Sequence, residues 1–347
     1  MAGSQGSALA EAVFRAGGLG SLPAAMLSPQ ALADELGRLQ AAVSGTGRLP
    51  FNINFFCHQP PSPDEARLAA WRSALVPYAA EWGLELPAAP AAGSRQPFDT
   101  VMAEVVEIYR PSIVSFHFGL PSAALLERVR AWGAQVWSSA TTVQEAVWLQ
   151  AQGVDAVIAQ GLEAGGHRGM FLTEDLQSQL GTMALLPQVV RALRVPVIAA
   201  GGIADAASVR AAFALGASAV QVGTAFLGCP EAATSGVHRR ALERASGQSS
   251  SEGAQTALTN LFSGRPARGL VNRLMRELGP LSPLAPAFPL ASGALQPLRQ
   301  KAEAGGNEDF SPLWCGQTPP RWMNRPAAEI VALLMGTMPD HVSESSP

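Results

Sequence analysis

The sequence predicts an α/β protein: a TIM (β/α)8-type barrel lacking its first strand, followed by a mostly helical C-terminal region. Three observations lead there. Up to about residue 228, short apolar β runs alternate with amphipathic helical stretches, the rhythm of parallel βα units. Seven such runs begin near residues 19, 49, 112, 134, 154, 195 and 218, one short of the eight that close a barrel. The first helical stretch, at 7–16, has only Met1 to Gly6 before it. These are too few and too small for a strand, which places the absent one upstream of Met1.

The elements follow in order. SALAEAVFRA (7–16) reads as a helix stopped by Gly17 and Gly18. LGSLPAAM is a weak strand, and Ser28 caps the next helix with Pro29 at its first position. LPFNINFF is a strand. Residues 60–100 form a Pro-rich, irregular insertion carrying one helix, DEARLAAWRSALVPYAAEW, and FDTVMAEVVEIY is another helix. The rhythm then becomes regular. SIVSFHF, QVWSSA, VDAVIAQ, VPVIAAGG and AVQVGTAFL read as strands, with helices SAALLERVRAWG, TVQEAVWLQAQG, LLPQVVRAL and DAASVRAAFALG between them. Beyond 228 the period fades. PARGLVNRLMREL reads as helical, Pro/Gly-rich loops run to 320, and a last helix covers about 326–336. The expected division is a βα barrel at 1–228 and a substrate-side, mostly helical region at 229–347.

Apolar residues make up 48% of the 347, enough for a large core. Charged residues are only 15%, the net charge is −3, and no basic cluster occurs. That excludes the electrostatic footprint of a protein that binds nucleic acid or an anionic membrane. There is no charge-free apolar run long enough for a membrane span, and MAGSQGSALAEAVF lacks the pattern of a signal peptide. A cytoplasmic protein is expected. Cys57, Cys229 and Cys315 lie far apart without zinc spacing and read as reduced thiols. No HxH, HExxH or carboxylate cluster points to a metal.

Reactive residues of such a barrel sit on the loops after its strands. VPVIAA runs into GGIADAASV, where two glycines bare backbone N–H groups and Asp205 caps the next helix; AVQV runs into GTAF at the same corner. Each loop could be a plain tight turn. Together they predict a phosphate cradle at a helix N-terminus. A third loop, QGLEAGGHRG (160–169), holds four glycines in ten residues. Gly165 and Gly166 allow backbone to approach a flat ligand. Gln160 carries both a donor and an acceptor for a heterocycle edge. His167 is the one side chain there that titrates near neutrality. Asn54 in FNINFF and His117 in SFHFG are polar residues aimed at the same rim; His117 reads equally well as a satisfied core group or a substrate-side one.

QGLEAGGHRG, PVIAAGGIADAASVRAAFALGASAVQVGTAFL, FNINFF, SFHFG, TNLFSGRPARGLVNRLM and LWCGQ, in that company, resemble the nitronate monooxygenase family, from Met1 to about residue 336. The resemblance implies an FMN enzyme that oxidises alkyl nitronates, such as propionate 3-nitronate, with O2 to a carbonyl compound and nitrite. It implies FMN contacts at Asn54, Gln160, Gly165, Gly202, Gln221, Val222, Gly223 and Thr224. His167 matches the active-site histidine, binding the nitronate or taking a proton from a neutral nitroalkane with an imidazole held near its ordinary pKa.

Two other FMN barrels compete: the flavin-dependent enoyl-acyl-carrier-protein reductase, whose loop is similar to EAGGH, and an NAD(P)H:quinone reductase. Both consume a nicotinamide. SFHFG and SGRPAR favour the monooxygenase. A flavin-binding protein without turnover is a third reading. The family opens with a strand ending in an APM-type turn, of which MAGS matches only the end. Exposed edges at 19–24 and 218–226 are therefore expected, with poor solubility or weak flavin loading.

Overall fold

The computed structural model describes residues 3–43, 48–87, 95–247 and 255–338. Helix α1 (Ser7–Arg15) leads into β1 (Ser21–Pro23), α2 (Pro29–Ala42), β2 (Leu49–Phe56), α3 (Glu65–Glu81), α4 (Thr100–Tyr109), β3 (Pro111–His117), α5 (Ala123–Ala131), β4 (Gln135–Ala140), α6 (Val143–Ala151), β5 (Ala156–Gln160) and β6 (Gly166–His167). The chain continues through α7 (Thr182–Ala192), β7 (Val197–Ala200), α8 (Ala206–Ala214), β8 (Ala219–Gln221), α9 (Gly236–Ser246), β9 (Thr256–Thr259), β10 (Ala267–Leu270), α10 (Arg273–Leu278), α11 (Ala291–Ala304) and α12 (Ala327–Leu334).

Strands β1, β2, β3, β4, β5, β7 and β8 lie side by side in that order, every pair parallel. This is the wall of a TIM-type barrel with seven strands. Its edges, β1 and β8, do not pair with each other among the described residues. The helices start where local chemistry satisfies their free N–H groups. Ser28 Oγ accepts from Ala31 N at 3.2 Å, Asp99 from Met102 N at 2.9 Å and Thr142 from Glu145 N at 3.1 Å. Asp205 and Ser208 close a reciprocal capping box on α8.

Between the strands and their helices lies the main core, with Leu22, Phe51, Val114, Val136 and Val157 buried against Leu36, Val106, Leu149 and Val189. Each such side chain is worth about 1.5–3 kcal/mol of burial. A second core forms elsewhere. Trp71, Leu75 and Tyr78 of α3 pack with Leu274 and Met275 of α10, Leu295 and Leu298 of α11, and Phe310. Trp71 Nε1 donates to Ala291 O at 3.0 Å. The helix of the 60–100 insertion thus joins C-terminal elements, while α12 returns to pack on α1 and α8. Among the described residues, no helix is long and apolar enough to cross a membrane.

PARGLVNRLMREL departs from its helical reading. Ala267–Leu270 is strand β10, and helix begins only at Arg273. The strand is flanked on both sides, antiparallel to β9 and to β6, and all four of its residues are buried. With its backbone committed to two ladders, pairing overrides the helical propensity of the stretch. The same pairing turns Gly166 and His167, expected as loop, into a two-residue strand.

Glu145, fully buried, ties the β4–α6 turn to the chain that follows His167. One carboxylate oxygen accepts from Thr141 N and Oγ1, both at 2.7 Å. The other accepts from Phe171 N at 2.6 Å and Leu172 N at 3.2 Å. Glu145→Ala strands these donors, at about 1–3 kcal/mol for each that water cannot reach. Urea unfolding of this variant should show a loss of about 3 kcal/mol; a loss below about 1 kcal/mol would refute the carboxylate's role as a brace.

Candidate active site

A cavity of about 260 Å³ opens at the C-terminal ends of the barrel strands. Its walls bring together all the residues singled out above: Asn54, His117, Gln160, Gly165 and His167, with Gly202, Gln221, Val222, Gly223 and Thr224. Asn54 lies two residues before the end of β2, and its Nδ2 donates to Ser115 Oγ at 2.9 Å.

One end of the cavity is an anion corner. The backbone N–H groups of Gly202, Ile203, Gly223 and Thr224 have no partner among the described residues. Gly202 sits at φ +71°, which a side chain rarely adopts. A Cβ on Gly223 would meet nothing within 4 Å, so the space beside that residue is open. Ala204 N and Asp205 N are both spent on Ser208 Oγ at 3.0 Å, so the turn before the helix supplies the free N–H groups. Thr182, whose N donates to Glu163 at 2.8 Å, reaches this turn through its hydroxyl, which donates to Gly201 O at 2.8 Å.

The other end is built around His167. Its backbone carbonyl accepts from Gln160 Nε2 at 3.0 Å and lies 3.2 Å from His117 Nε2. Because a carbonyl only accepts, His117 carries its proton on Nε2, and its Nδ1 accepts from Ser139 Oγ at 3.0 Å. Both nitrogens of His117 are thereby spent. Gln160 is similarly committed, since its Oε1 accepts from Gly169 N at 2.8 Å. These two residues hold the loop in place. Gly165 is required by close approach: a Cβ there would lie 2.5 Å from Gly316 N.

The His167 ring sits among Phe288 at 5.3 Å, Trp314 at 5.5 Å, and Phe56 and Phe118 at 6.0 Å between centroids. Its Nε2 is 2.8 Å from Ser263 Oγ. That hydroxyl also donates to Arg265 O and accepts from Arg265 N. All three contacts hold together when His167 Nε2–H donates to Ser263, which leaves Nδ1 as a free acceptor. Burial, followed by the charge of Arg95, pushes the His167 pKa well below its ordinary value. The imidazole is therefore neutral at pH 7, in contrast to the near-ordinary pKa expected from sequence.

Several side chains of the site carried no readable sequence signal. Arg95 lines the cavity from the irregular insertion. Asn52 is buried with Oδ1 unpartnered. Arg168, with no exposed surface, donates to Gln160 O at 2.8 Å, Gly161 O at 2.7 Å and Gln179 Oε1 at 3.0 Å. The HRG triplet does mark Arg168, yet nothing in its spacing says that the guanidinium turns inward to bind backbone.

Three other histidines share the depressed pKa of His167. Burial pushes His58, His117 and His238 down to about 4. Unfolded, each titrates near about 6.5. The unfolded chain then binds protons that the folded chain refuses, so stability is full above about pH 6.5 and falls as pH drops toward 4. Urea unfolding followed from pH 7.5 to 5 should show proton uptake on unfolding approaching four, one for each of these histidines. A flat profile across that window would contradict it.

Comparison with known proteins places this geometry. The family model for nitronate monooxygenase matches residues 1–336. A nitronate monooxygenase of Pseudomonas aeruginosa is 42% identical over 339 residues, covering 96% of this chain and 93% of the relative. The crystal structure of nitroalkane oxidase from Streptomyces ansochromogenes aligns with a TM-score of 0.85 and 37% identity, over 97% of this chain and 93% of that one. FabK from Thermotoga maritima aligns less well, with a TM-score of 0.68 and 25% identity over 97% of this chain and 89% of that one. With a match spanning the barrel, the anion corner and the His167 loop alike, the chain belongs to the nitronate monooxygenase family.

Proposed function

We propose that this chain is an FMN-dependent enzyme that oxidises alkyl nitronates with O2 to a carbonyl compound and nitrite. The observation that carries the reading is the pairing of a four-donor anion corner with a neutral His167 in an aromatic cage, at two ends of one cavity. Supporting it, the relatives named above are a nitronate monooxygenase and a nitroalkane oxidase.

The residues suit FMN. The N–H groups at Gly202, Ile203, Gly223 and Thr224 would hold one phosphate, in the manner of helix-start and loop anion sites. The orphaned Asn52 Oδ1, together with Asn54 and Gly165, would face the ring system. Among the described residues, one phosphate corner and no second nucleotide lobe favour FMN over FAD. When bound, the flavin supplies the redox step. The chain's own residues do the rest. Nδ1 of His167 accepts a proton from a neutral nitroalkane, while a preformed nitronate needs no proton removed. Phe56, Phe118, Phe288 and Trp314 exclude water around the acceptor. His117 and Gln160 position the loop. In this reading residues 1–228 hold the flavin, and residues 229–347, with α3, close the substrate side. Three free thiols suit a reducing cytoplasm.

The test is anaerobic mixing of the flavoprotein with propionate 3-nitronate and, separately, with NADPH, plus mass analysis of the released cofactor. Reduction by the nitronate alone and release of FMN are expected. Reduction by NADPH alone would favour the enoyl-acyl-carrier-protein or quinone reductase readings, and reduction by neither a flavin-binding protein without turnover. His167→Ala should retain flavin and lower turnover of a neutral nitroalkane by about 10²-fold or more. Full activity in that variant would remove His167 from the reaction.

A further inference from the structure

Four arginines are buried or partly buried around the cavity, and three of them are occupied. Arg168 binds the backbone at Gln160 and Gly161. Arg268 donates to Leu162 O at 2.9 Å and Thr256 Oγ1 at 3.2 Å. Arg265 donates to Met170 O and lies 4.2 Å over the Phe118 ring. The fourth, Arg95, is only 9% exposed and lines the cavity. Its side chain makes one described bond, a long one of 3.4 Å to Ser292 Oγ. No carboxylate lies within ion-pair distance among the described residues. Ser292 is itself fixed, its Oγ donating to Pro289 O at 2.9 Å.

We propose that Arg95 is the counter-charge for the substrate, a guanidinium that holds an anionic oxygen pair at the His167 end of the cavity. This rests on the nitronate reading above and deepens it. A buried, unpaired cation is costly unless an anion joins it. The planar fork of guanidinium matches a planar anionic oxygen pair, whether nitronate or carboxylate. Burial and the charge of Arg299 lower the Arg95 pKa to about 10, so it stays charged at pH 7. His167 is neutral and cannot hold an anion by charge. The phosphate corner is served by backbone N–H groups and leaves Arg95 free for the substrate.

The experiment uses the flavin-loaded enzyme and its Arg95→Met and Arg95→Lys variants. Two measurements are made on each. One is kcat and KM separately, with ethyl nitronate and with propionate 3-nitronate. The other is the dissociation constant of nitrate, a planar anion, read from the flavin absorbance without turnover. Arg95→Met should raise the nitrate dissociation constant and at least one nitronate KM by about 10–100-fold, with kcat changed much less. Arg95→Lys should recover much of the loss, and flavin content and Tm should hold in both. A rise confined to propionate 3-nitronate places Arg95 at the tail carboxylate; a rise for both substrates places it at the nitronate. Unchanged KM and nitrate binding would overturn the proposal. So would equal losses in both variants with lowered Tm and flavin content, which mark a structural group. Should the wild-type enzyme fail to react with nitronates, the nitrate titration still decides the role of Arg95.

Discussion

Fixing the backbone of a glycine-rich loop costs about 1–2 kcal/mol per residue, and glycine loses the most freedom. Segment 160–169 must meet that cost while presenting His167 at one position. It does so through its carbonyls. Arg168 holds Gln160 O and Gly161 O, Arg268 holds Leu162 O, and Gln160 and His117 hold His167 O. Bonds from charged donors are worth about 1.5–3 kcal/mol and neutral ones about 1. Arg168 N also donates to Pro266 O at 2.9 Å, which couples the loop to β10. Because β10 is held by β9 and the second core, the C-terminal region sets the position of a side chain borne by the barrel.

Around this site four arginines outnumber the carboxylates of Glu145 and Glu163, although the chain carries a net charge of −3. Arg95, Arg168, Arg265 and Arg268 are all lowered in pKa, first by burial. The histidines among them are therefore kept neutral twice over, by desolvation and by neighbouring positive charge. His117 and His58 both feel Arg265, and His167 feels Arg95 and Arg265. Such a field favours a phosphate at one end and an anionic substrate at the other, while it denies the histidines a proton.

The seven strands were legible because parallel barrel strands are short apolar runs between capped helices; Ser28, Asp205 and the paired glycines are local signals that survive folding. The rim was legible for a similar reason, since loops after strands carry polar residues that no core would tolerate. What stayed hidden depends on distant parts of the chain. ARGL reads as helix until β6 and β9 claim its two edges. Trp71 and Tyr78 look like the apolar face of any helix, and only their packing with Leu298 and Phe310 shows a second core. Arg95 sits in an irregular, Pro-rich stretch where nothing in spacing or periodicity gives a side chain its direction. The charge state of His167 was misjudged because a pKa reports burial and neighbours, and neither is a property of HRG as a string.

Arg95 and His167 together resolve a conflict inherent in using one imidazole for an anionic substrate. Imidazolium attracts the anion but has no lone pair to accept a proton; neutral imidazole accepts the proton but lends no charge. A histidine near its ordinary pKa would divide its population between the two forms at neutral pH. In the function proposed above, the tasks fall on separate groups. The guanidinium, charged at every physiological pH, holds the anion, and its field, after burial, keeps the imidazole neutral. Ser263 then fixes the tautomer by receiving Nε2–H, and the free Nδ1 is available as the base. The arrangement gains a single protonation state, and its cost is a buried cation that stays uncompensated until an anion enters the cavity.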